Sequence, residues 1–187
     1  SGGASGAGGA GVSAVAMVLS IQVWYGFQNA GVATAFGSSP YKVDLEWITV
    51  GSFKVRYAMD VDALSAFMVL LTGLLGFIAS LSGWGVEKNP RGFFAMYLLL
   101  LTGMFGTFVA SDLFLFYVFW EVMLLPMYFL IGLWGGPKRE FAAIKFFIYT
   151  LVGSLLMLGA FLAVYFQLGT FSISEIIRRH AEIFPGV

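Results

Sequence analysis

The chain has 187 residues, of which 59% are hydrophobic and 11% charged, and its mean hydropathy of +0.89 excludes a soluble globular domain and indicates a polytopic membrane protein. Ten basic and ten acidic residues give a net charge of zero, which argues against nucleic acid as a partner and leaves the lipid bilayer as the expected surroundings. The absence of cysteine excludes cysteine-ligated iron–sulfur clusters and disulfide bonds, and a single histidine provides no metal cluster.

The N-terminal part contains two segments of different composition. Residues 1–11 are only Gly, Ala and Ser, which predicts a flexible leader; the alternative is the small-residue end of a helix that packs closely on another helix. Residues 12–36 carry no charge and are rich in Val, Ala and Leu, which predicts a first membrane-spanning helix.

Residues 41–59 contain two runs in which apolar and charged residues alternate, separated by a glycine, which predicts a β-hairpin outside the membrane. A two-residue turn at Gly51 and Ser52 would pair odd positions with even ones and split the apolar face. We therefore expect a three-residue loop at 50–52. This register gives two cross-strand pairs, Trp47 with Val55 and Glu46 with Arg56.

The remainder of the chain predicts four more spans and a surface helix. The apolar stretches are 63–82, 92–110, 112–134 and 143–168. Residues 171–184 place apolar side chains on one helical face, which predicts an amphipathic helix at the membrane interface. In that helix His180 is better explained as an interfacial contact than as a ligand. The predicted fold is thus an all-α polytopic membrane protein with about five transmembrane helices, one extramembrane hairpin and one interfacial helix.

The basic residues predict how the chain is oriented in the membrane. Five spans alternate the loops between two sides, and each side carries five basic residues. One set lies in short loops at helix ends, where the positive-inside rule applies best, whereas the other is spread over the hairpin and the tail. We therefore expect the loops that contain Lys88 and Lys138 to be cytoplasmic, with the hairpin and the C-terminal segment on the opposite side.

The span 112–134 carries the candidate functional residue, Glu121. A helix of this length is roughly 35 Å long, so the carboxyl lies near the bilayer midplane, where an ionisable group costs at least ~2.5–3.5 kcal/mol. Pro126, five residues later, removes a backbone hydrogen bond and loosens the helix. Tyr117 and Tyr128 share the helical face of Glu121. The residue is either a structural acid hydrogen-bonded to a neighbouring helix or a proton-carrying site in a helix that can flex.

Lys145 is the basic residue that the sequence places inside a predicted span. It lies about four residues into its helix, roughly 14 Å along the membrane normal from Glu121, which exceeds a direct salt bridge. It is therefore predicted either to extend to the cytoplasmic surface or to relay protons through a water chain.

Three long motifs resemble one family. FYVFWEVMLLPMYFLIGLWGG, which contains Glu121, resembles the fifth spanning helix of subunit M, or chain 4, of bacterial proton-translocating NADH:quinone oxidoreductase (respiratory complex I). MDVDALSAFMVLLTGLLG resembles the entry to its third helix, although glycine is more usual at Ala63, and KFFIYTLVGSLLMLGAF resembles its sixth helix. The resemblance covers roughly residues 59–166, with the motifs in the family's order and spacing.

The resemblance implies a proton-translocating, antiporter-like subunit of an enzyme complex in the bacterial inner membrane, with other membrane-arm subunits as partners. It implies no redox site or cofactor in this chain: flavin, iron–sulfur clusters and quinone are expected in partner subunits. It further implies that Glu121 pairs with a lysine on the family's seventh helix. By this comparison the chain is expected to be a fragment that lacks the first helix and everything from the seventh helix onward.

Two other functions remain open. The large subunits of multisubunit cation/proton antiporters share this helix, and a non-transporting remnant would keep the acid for structure alone. The string WEVMLLPMYF and the LWGG that follows favour the oxidoreductase subunit over the antiporter.

Overall fold

The computed structural model describes residues 2–29, 41–50 and 53–179, with side chains described for 6–29, 41–48 and 55–179. Among these residues, five helices are long and apolar enough to cross a membrane, and the only sheet is a two-stranded antiparallel hairpin. The predicted polytopic fold is therefore confirmed. The elements in chain order are α1 (Gly2–Asn29), β1 (Val43–Val50), β2 (Phe53–Met59), α2 (Ala63–Ser82), α3 (Pro90–Val109), α4 (Leu113–Trp134), α5 (Arg139–Leu168) and α6 (Ile173–Arg178).

Helix α1 begins at Gly2, so the prediction of a flexible leader at 1–11 is wrong. The small residues lie where the helix meets its neighbours: a Cβ on Gly9 would overlap the ring of Phe94, and one on Gly6 would touch the indole of Trp84 at 3.5 Å. The alternative expectation, a small-residue helix end in close contact with other helices, is the correct one. The predicted end of this span, residues 30–36, lies outside the described residues.

The hairpin forms as predicted, but its register changes part-way along β1. Glu46 pairs with Arg56 as expected, whereas Val55 pairs with Ile48 and not with Trp47, because a β-bulge lies between Glu46 and Ile48. Val50 pairs with Phe53, so the strands are joined through two residues and the expected three-residue loop is wrong. A two-residue connection pairs even-numbered positions with odd-numbered ones, as at Ile48 and Val55. The extra residue of the bulge shifts the register by one, so that even positions pair with even ones beyond it, as at Glu46 and Arg56. Residues 51 and 52 themselves lie outside the described part.

Two predicted spans start later in the sequence than the structure has them. Helix α3 begins at Pro90, because the Asn89 side chain accepts a hydrogen bond from the backbone N–H of Gly92 and proline suits the first helical position. Helix α5 begins at Arg139, not at 143, and Glu140 in its first turn complements the positive end of the helix dipole. With 30 residues α5 is about 45 Å long, longer than the bilayer core.

The loops at one end of the bundle are joined by backbone hydrogen bonds. The α3–α4 connection bonds to the end of β2 through Ser111 N to Ala58 O and Asp60 N to Val109 O, each 2.9 Å. On its other side it bonds to the segment before α6, through Leu113 N to Phe171 O at 2.9 Å and Ile173 N to Ser111 O at 3.0 Å. The hairpin and the C-terminal segment therefore lie at the same end of the bundle.

An apolar cluster fills the space beneath these loops. Val55 of the hairpin, Tyr165 of α5 and Phe171 are all nearly inaccessible to solvent, and the rings of Tyr165 and Phe171 stack with centroids 4.3 Å apart. Ile48, Leu113, Phe114, Phe161 and Leu162 surround them. The hairpin thus covers helix ends through Ile48 and Val55, the cross-strand pair next to its bulge.

The helix that was predicted at the membrane interface is shorter at its N-terminal end than expected. Phe171 and Ser172 belong to the hydrogen-bonded connection, and α6 begins at Ile173. The Glu175 carboxylate of α6 forms an ion pair with Arg179, the residue that follows the helix, at 2.5 Å. The remainder of the predicted helix, with His180, lies outside the described residues.

Candidate functional site

Helix α4 is held at its start by a buried carboxylate. Asp112, 2% exposed, accepts hydrogen bonds from the backbone N–H groups of Phe114 (2.9 Å) and Leu115 (3.1 Å), which would otherwise be unpaired at the helix N-terminus. The backbone N–H of Arg56 in β2 also bonds to it. Burial raises the pKa of the Asp112 carboxyl, while these hydrogen bonds and the Arg56 charge act in the opposite direction. Asp112 thereby connects the hairpin to the helix that carries Glu121.

Helix α3 packs against the face of α4 opposite to Glu121. Two glycines allow this close approach: a Cβ on Gly106 would overlap the ring of Phe119, and one on Gly103 would lie 3.4 Å from the Phe119 carbonyl oxygen. Phe119 precedes Glu121 by two residues, a rotation of about 200° around a helix. The Glu121 side is consequently left facing away from α3.

Glu121 lies in the third turn of α4 and is half-buried. Its Oε1 atom is buried and has no hydrogen-bond partner within the described part of the chain. The phenol of Tyr117, one turn earlier, lies near both the Glu121 carboxyl and the hydroxyl of Ser154 on α5. Ser154 is 2% exposed and donates to the Leu151 carbonyl at 3.0 Å. The structure thus brings Tyr117 to Glu121 and adds a residue that was not predicted.

Tyr128, the other predicted tyrosine neighbour, is engaged elsewhere. Its ring packs edge-on against Phe147 of α5, with centroids 5.6 Å apart, and against Phe129 at 5.5 Å. Together with Leu125 and Ile144 these rings line an apolar cleft between α4 and α5. Its predicted supporting role at Glu121 stays a prediction.

Pro126 is fully buried, and α4 continues as one helix on both sides of it. Proline lacks the N–H that would bond the carbonyl one turn earlier, so the helix is weakened just beyond Glu121 without being broken. Whether it flexes there stays a prediction.

Lys145 lies in the second turn of α5 with its side chain exposed. It is nine residues from Ser154, roughly 13 Å along the helix axis. Among the described residues it forms no ion pair with Glu121. Its assignment as a proton relay therefore stays a prediction, as does the simpler interpretation that the ammonium group reaches the membrane surface.

Ser154 was missed because a single serine in an apolar helix is common and its helical face cannot be read from one sequence. The signal available was its place in the middle of KFFIYTLVGSLLMLGAF, where a hydroxyl has no water to bond. Across the described residues, no group of three or more His, Cys, Asp or Glu side chains is arranged to hold a metal ion.

Comparison with known proteins identifies the family. Residues 110–185, which include all of α4 and α5, match the family model described as "NADH:quinone oxidoreductase/Mrp antiporter, TM". NADH-quinone oxidoreductase subunit M of Escherichia coli (strain K12) is 43% identical over 159 residues. The chain belongs to this NADH:quinone oxidoreductase/Mrp antiporter family. The predicted resemblance is thereby confirmed.

Other members of the family show how much of the relatives the chain represents. The chloroplastic NAD(P)H-quinone oxidoreductase chain 4 of Chara vulgaris is 41% identical over 143 residues, covering 76% of this chain. The Escherichia coli match covers 80% of this chain. The chain spans only 30% of the Escherichia coli protein and 27% of the Chara protein.

Solved structures of the family share the fold. A chain of respiratory complex I from Thermus thermophilus with bound NADH matches 88% of this chain with a TM-score of 0.71 and 29% identity, and 32% of that chain is covered. A chain of the Mrp complex from Dietzia sp. DQ12-45-1b matches 90% of this chain with a TM-score of 0.73 at 22% identity, over 18% of its own length. The second likeness shows the fold alone.

Proposed function

We propose that this chain forms part of a proton-translocating membrane-arm subunit of NADH:quinone oxidoreductase, in which Glu121 gains and loses a proton as a distant partner is reduced. Sequence identity of 43% to subunit M supports the oxidoreductase assignment. The buried, unpaired Oε1 of Glu121 supports the choice of residue, because a carboxyl oxygen without a hydrogen-bond partner is unfavourable in a scaffold and suits a site completed by another group.

The physical basis is the dependence of the carboxyl's charge on its surroundings. Without a cation nearby, a carboxyl in an apolar environment is more stable when protonated. When a lysine approaches, as the family resemblance implies for a further helix, their attraction in a low dielectric favours the ionised form. Movement of that partner would then load and unload one proton. No redox step takes place in this chain: flavin, iron–sulfur clusters and quinone belong to the partner subunits.

The same proposal gives the chain a location. It lies in the bacterial inner membrane beside other membrane-arm subunits, with the loops of Lys88 and Lys138 in the cytoplasm. A hydrogen bond supports a position for these two loops at the same end of the bundle. The indole of Trp134, at the end of α4 before the Lys138 loop, donates to the Lys88 carbonyl at 2.6 Å.

A cation/proton antiporter of the multisubunit type is the second candidate. The family description names it, and the Dietzia Mrp complex has the same fold. An antiporter would exchange sodium or potassium for protons in vesicles without NADH, whereas the proposed subunit would pump only when NADH is oxidised.

The test is made in membranes in which the chain is assembled in its native complex. Glu121→Gln should leave assembly unchanged while removing most NADH-driven proton uptake into inverted vesicles and most coupled quinone reduction, and Glu121→Asp should lose less. Glu140→Gln, the same chemical change at the exposed start of α5, is the matched control and should behave as wild type. Wild-type pumping by assembled Glu121→Gln would overturn the proposal.

A further inference from the structure

We propose that the cleft between α4 and α5 is the route by which protons reach Glu121 from the end of the bundle that carries Lys138. Because this route would serve the proton exchange of Glu121, the inference rests on the proposed function. The cleft has three properties that suit it to this role. It opens to water at one end, it follows the face of α4 that carries Glu121, and its inner part adjoins polar groups that have no hydrogen-bond partner within the described part of the chain.

Two cavities that share part of their walls make up the cleft. The outer cavity, of about 300 Å³, reaches from Glu140 in the first turn of α5 to Tyr128. The inner cavity, of about 260 Å³, reaches from Tyr128 to Leu125. The residues that line both cavities are Tyr128, Phe129 and Ile144. Since the Glu140 side chain is exposed and α5 is longer than the bilayer core, water reaches the outer cavity directly at this end.

The cleft follows the face of α4 that carries Glu121. Leu125, Tyr128 and Gly132 lie four, seven and eleven residues after Glu121, spacings that return to the same side of a helix. Gly132 adds no side chain to the outer cavity, and a Cβ there would already contact the Cβ of Ala143 on α5 at 3.5 Å. The inner cavity ends at Leu125, one turn or roughly 6 Å along the axis from Glu121. One water that bonds on both sides spans about 5.5 Å, so it bridges what remains.

Two polar groups at the inner part of the route have no hydrogen-bond partner among the described residues. One is the Oε1 atom of Glu121. The other is the hydroxyl of Tyr128, whose ring makes aromatic contacts with Phe129 and Phe147. The other walls of the inner cavity are apolar, and its volume has room for about eight waters at ~30 Å³ each. An apolar passage holds water when polar or charged groups attract it and empties when they do not.

The charge of Glu121 therefore decides whether the cleft conducts. When the carboxyl is ionised, its charge and the Tyr128 hydroxyl favour a chain of waters in the cleft. Each water accepts a proton on one side and donates one on the other, so one proton leaves the bulk water and one O–H bond forms on Glu121. The neutral carboxyl attracts water less strongly, and the apolar walls then empty the cleft. Tyr128 is a positioning residue here, because it holds water without keeping the proton.

Filling the cleft should stop the supply of protons in the assembled complex. Ile144→Phe adds bulk to the wall that both cavities share, and at 51% exposure the site has room for the larger side chain. It should remove most NADH-driven proton uptake into inverted vesicles while leaving assembly unchanged. Ile148→Phe is the matched control, since it makes the same change one turn further along α5, at 53% exposure, and lines neither cavity. It should behave as wild type.

The Tyr128 hydroxyl should matter for the rate of proton delivery. Tyr128→Phe should slow pumping about twofold to tenfold, the range commanded by a single hydrogen bond. Tyr149→Phe is the control, because this tyrosine of α5 is 73% exposed and lies outside the cleft. The defects of Tyr128→Phe and Ile144→Phe should grow as pH rises on the Lys138 side, where protons become scarce. A merely structural defect would not follow pH in this way.

Cysteine labelling tests whether water enters the cleft, independently of pumping. The chain contains no cysteine, so one substitution gives this subunit one reactive thiol. Leu125→Cys should react with a small, membrane-impermeant thiosulfonate added on the side where Lys138→Cys reacts. Ile148→Cys should react far more slowly, although Leu125 and Ile148 are each 53% exposed and lie nine residues from the α4 end and the α5 start, respectively. Adding Ile144→Phe should slow the reaction of Leu125→Cys.

The outcomes separate this inference from the function on which it rests. If Glu121→Gln pumps normally, the proposed function fails and the route has no proton to supply. If Glu121→Gln abolishes pumping but Ile144→Phe pumps like Ile148→Phe, the inference alone is overturned. It is also overturned if Leu125→Cys reacts no faster than Ile148→Cys, or only from the opposite side of the membrane. Should Ile144→Phe reduce assembly, the labelling of Leu125→Cys decides the question.

Discussion

The hydroxyl of Ser13 donates to the hydroxyl of Ser80 across 2.6 Å, at the buried contact between α1 and α2. Ser80 donates in turn to the Phe77 carbonyl at 2.7 Å, so both hydroxyl protons are used. The two helices are close enough for this bond because small residues lie on both sides of the contact. Hydrogen bonding and close packing therefore act at the same place.

The Ser13–Ser80 bond should contribute a small, measurable coupling. Ser13→Ala, Ser80→Ala and the double variant form a cycle whose interaction energy we expect to be about 0.6 kcal/mol, the average for hydrogen bonds between membrane helices. Thermal unfolding in detergent measures it. Ser82→Ala, which removes an exposed hydroxyl from the same helix, is the control. A coupling energy indistinguishable from zero would mean that packing alone holds α1 to α2.

Substitution by alanine should destabilise the chain at Gly73 but not at Gly153. A Cβ on Gly73 would lie 3.2 Å from the Met17 Cα, a backbone atom of α1, whereas a Cβ on Gly153 meets nothing within 4 Å. Alanine favours a helix over glycine by up to about 1 kcal/mol, so Gly153→Ala should unfold at a temperature equal to or above wild type. Gly73→Ala should unfold at a lower temperature. Equal gains at both sites would contradict the close contact.

The same contact explains which parts of the fold could be read from the sequence. The five spans could be predicted from the lengths of the apolar runs, and Glu121 could be singled out as the one charged residue in the middle of such a run. The extension of α1 towards Gly2 did not follow, because the low helix propensity of glycine predicts a flexible segment, whereas the small size of Gly9 and Ser13 serves contact with partners far along the chain.

Long-range contacts also determined what was missed in the hairpin and at the site. The sequence argument against a two-residue connection assumed that the two strands pair without a bulge. Nothing in the local sequence marks Trp47 as the position of a bulge. Ser154 lies near Tyr117 on the neighbouring helix, and a helical wheel of one element cannot show which neighbour another element presents. Helical periodicity places Tyr128 on the face of Glu121, yet its ring packs edge-on against Phe147 of α5.

Asp112 should make the stability of the folded chain depend on pH. Burial raises the pKa of its carboxyl above the ordinary value of 3.8, so its favourable contribution is complete below that value and is lost as pH rises through the folded-state pKa. Asp112→Asn keeps an oxygen acceptor for the helix N-terminus and has no titration, so the fall in unfolding temperature over this window should flatten. Asp112→Ala should flatten it as well, and should be about 1 kcal/mol less stable than Asp112→Asn at every pH, because the acceptor is gone. A slope unchanged in Asp112→Asn would assign the pH dependence to other groups.

Cysteine labelling should place the two ends of the bundle on opposite sides of the membrane. The chain contains no cysteine, so single substitutions give no background. Arg178 is suited to one end because its side chain is 76% exposed, and the hydrogen-bonded loops place it on the same side as the hairpin. Lys138, exposed between α4 and α5, is suited to the other.

With the basic loops in the cytoplasm, Arg178→Cys should react with a membrane-impermeant maleimide in intact spheroplasts, and Lys138→Cys should react only after lysis. The reverse result would invert the orientation while leaving the five-span fold intact. Reaction of both variants from the outside would contradict the fold itself. Only α5 separates Lys138 from Arg178, so both residues can lie on one side only if α5 does not span the bilayer. The pair therefore tests the charge argument and the fold with the same reagent.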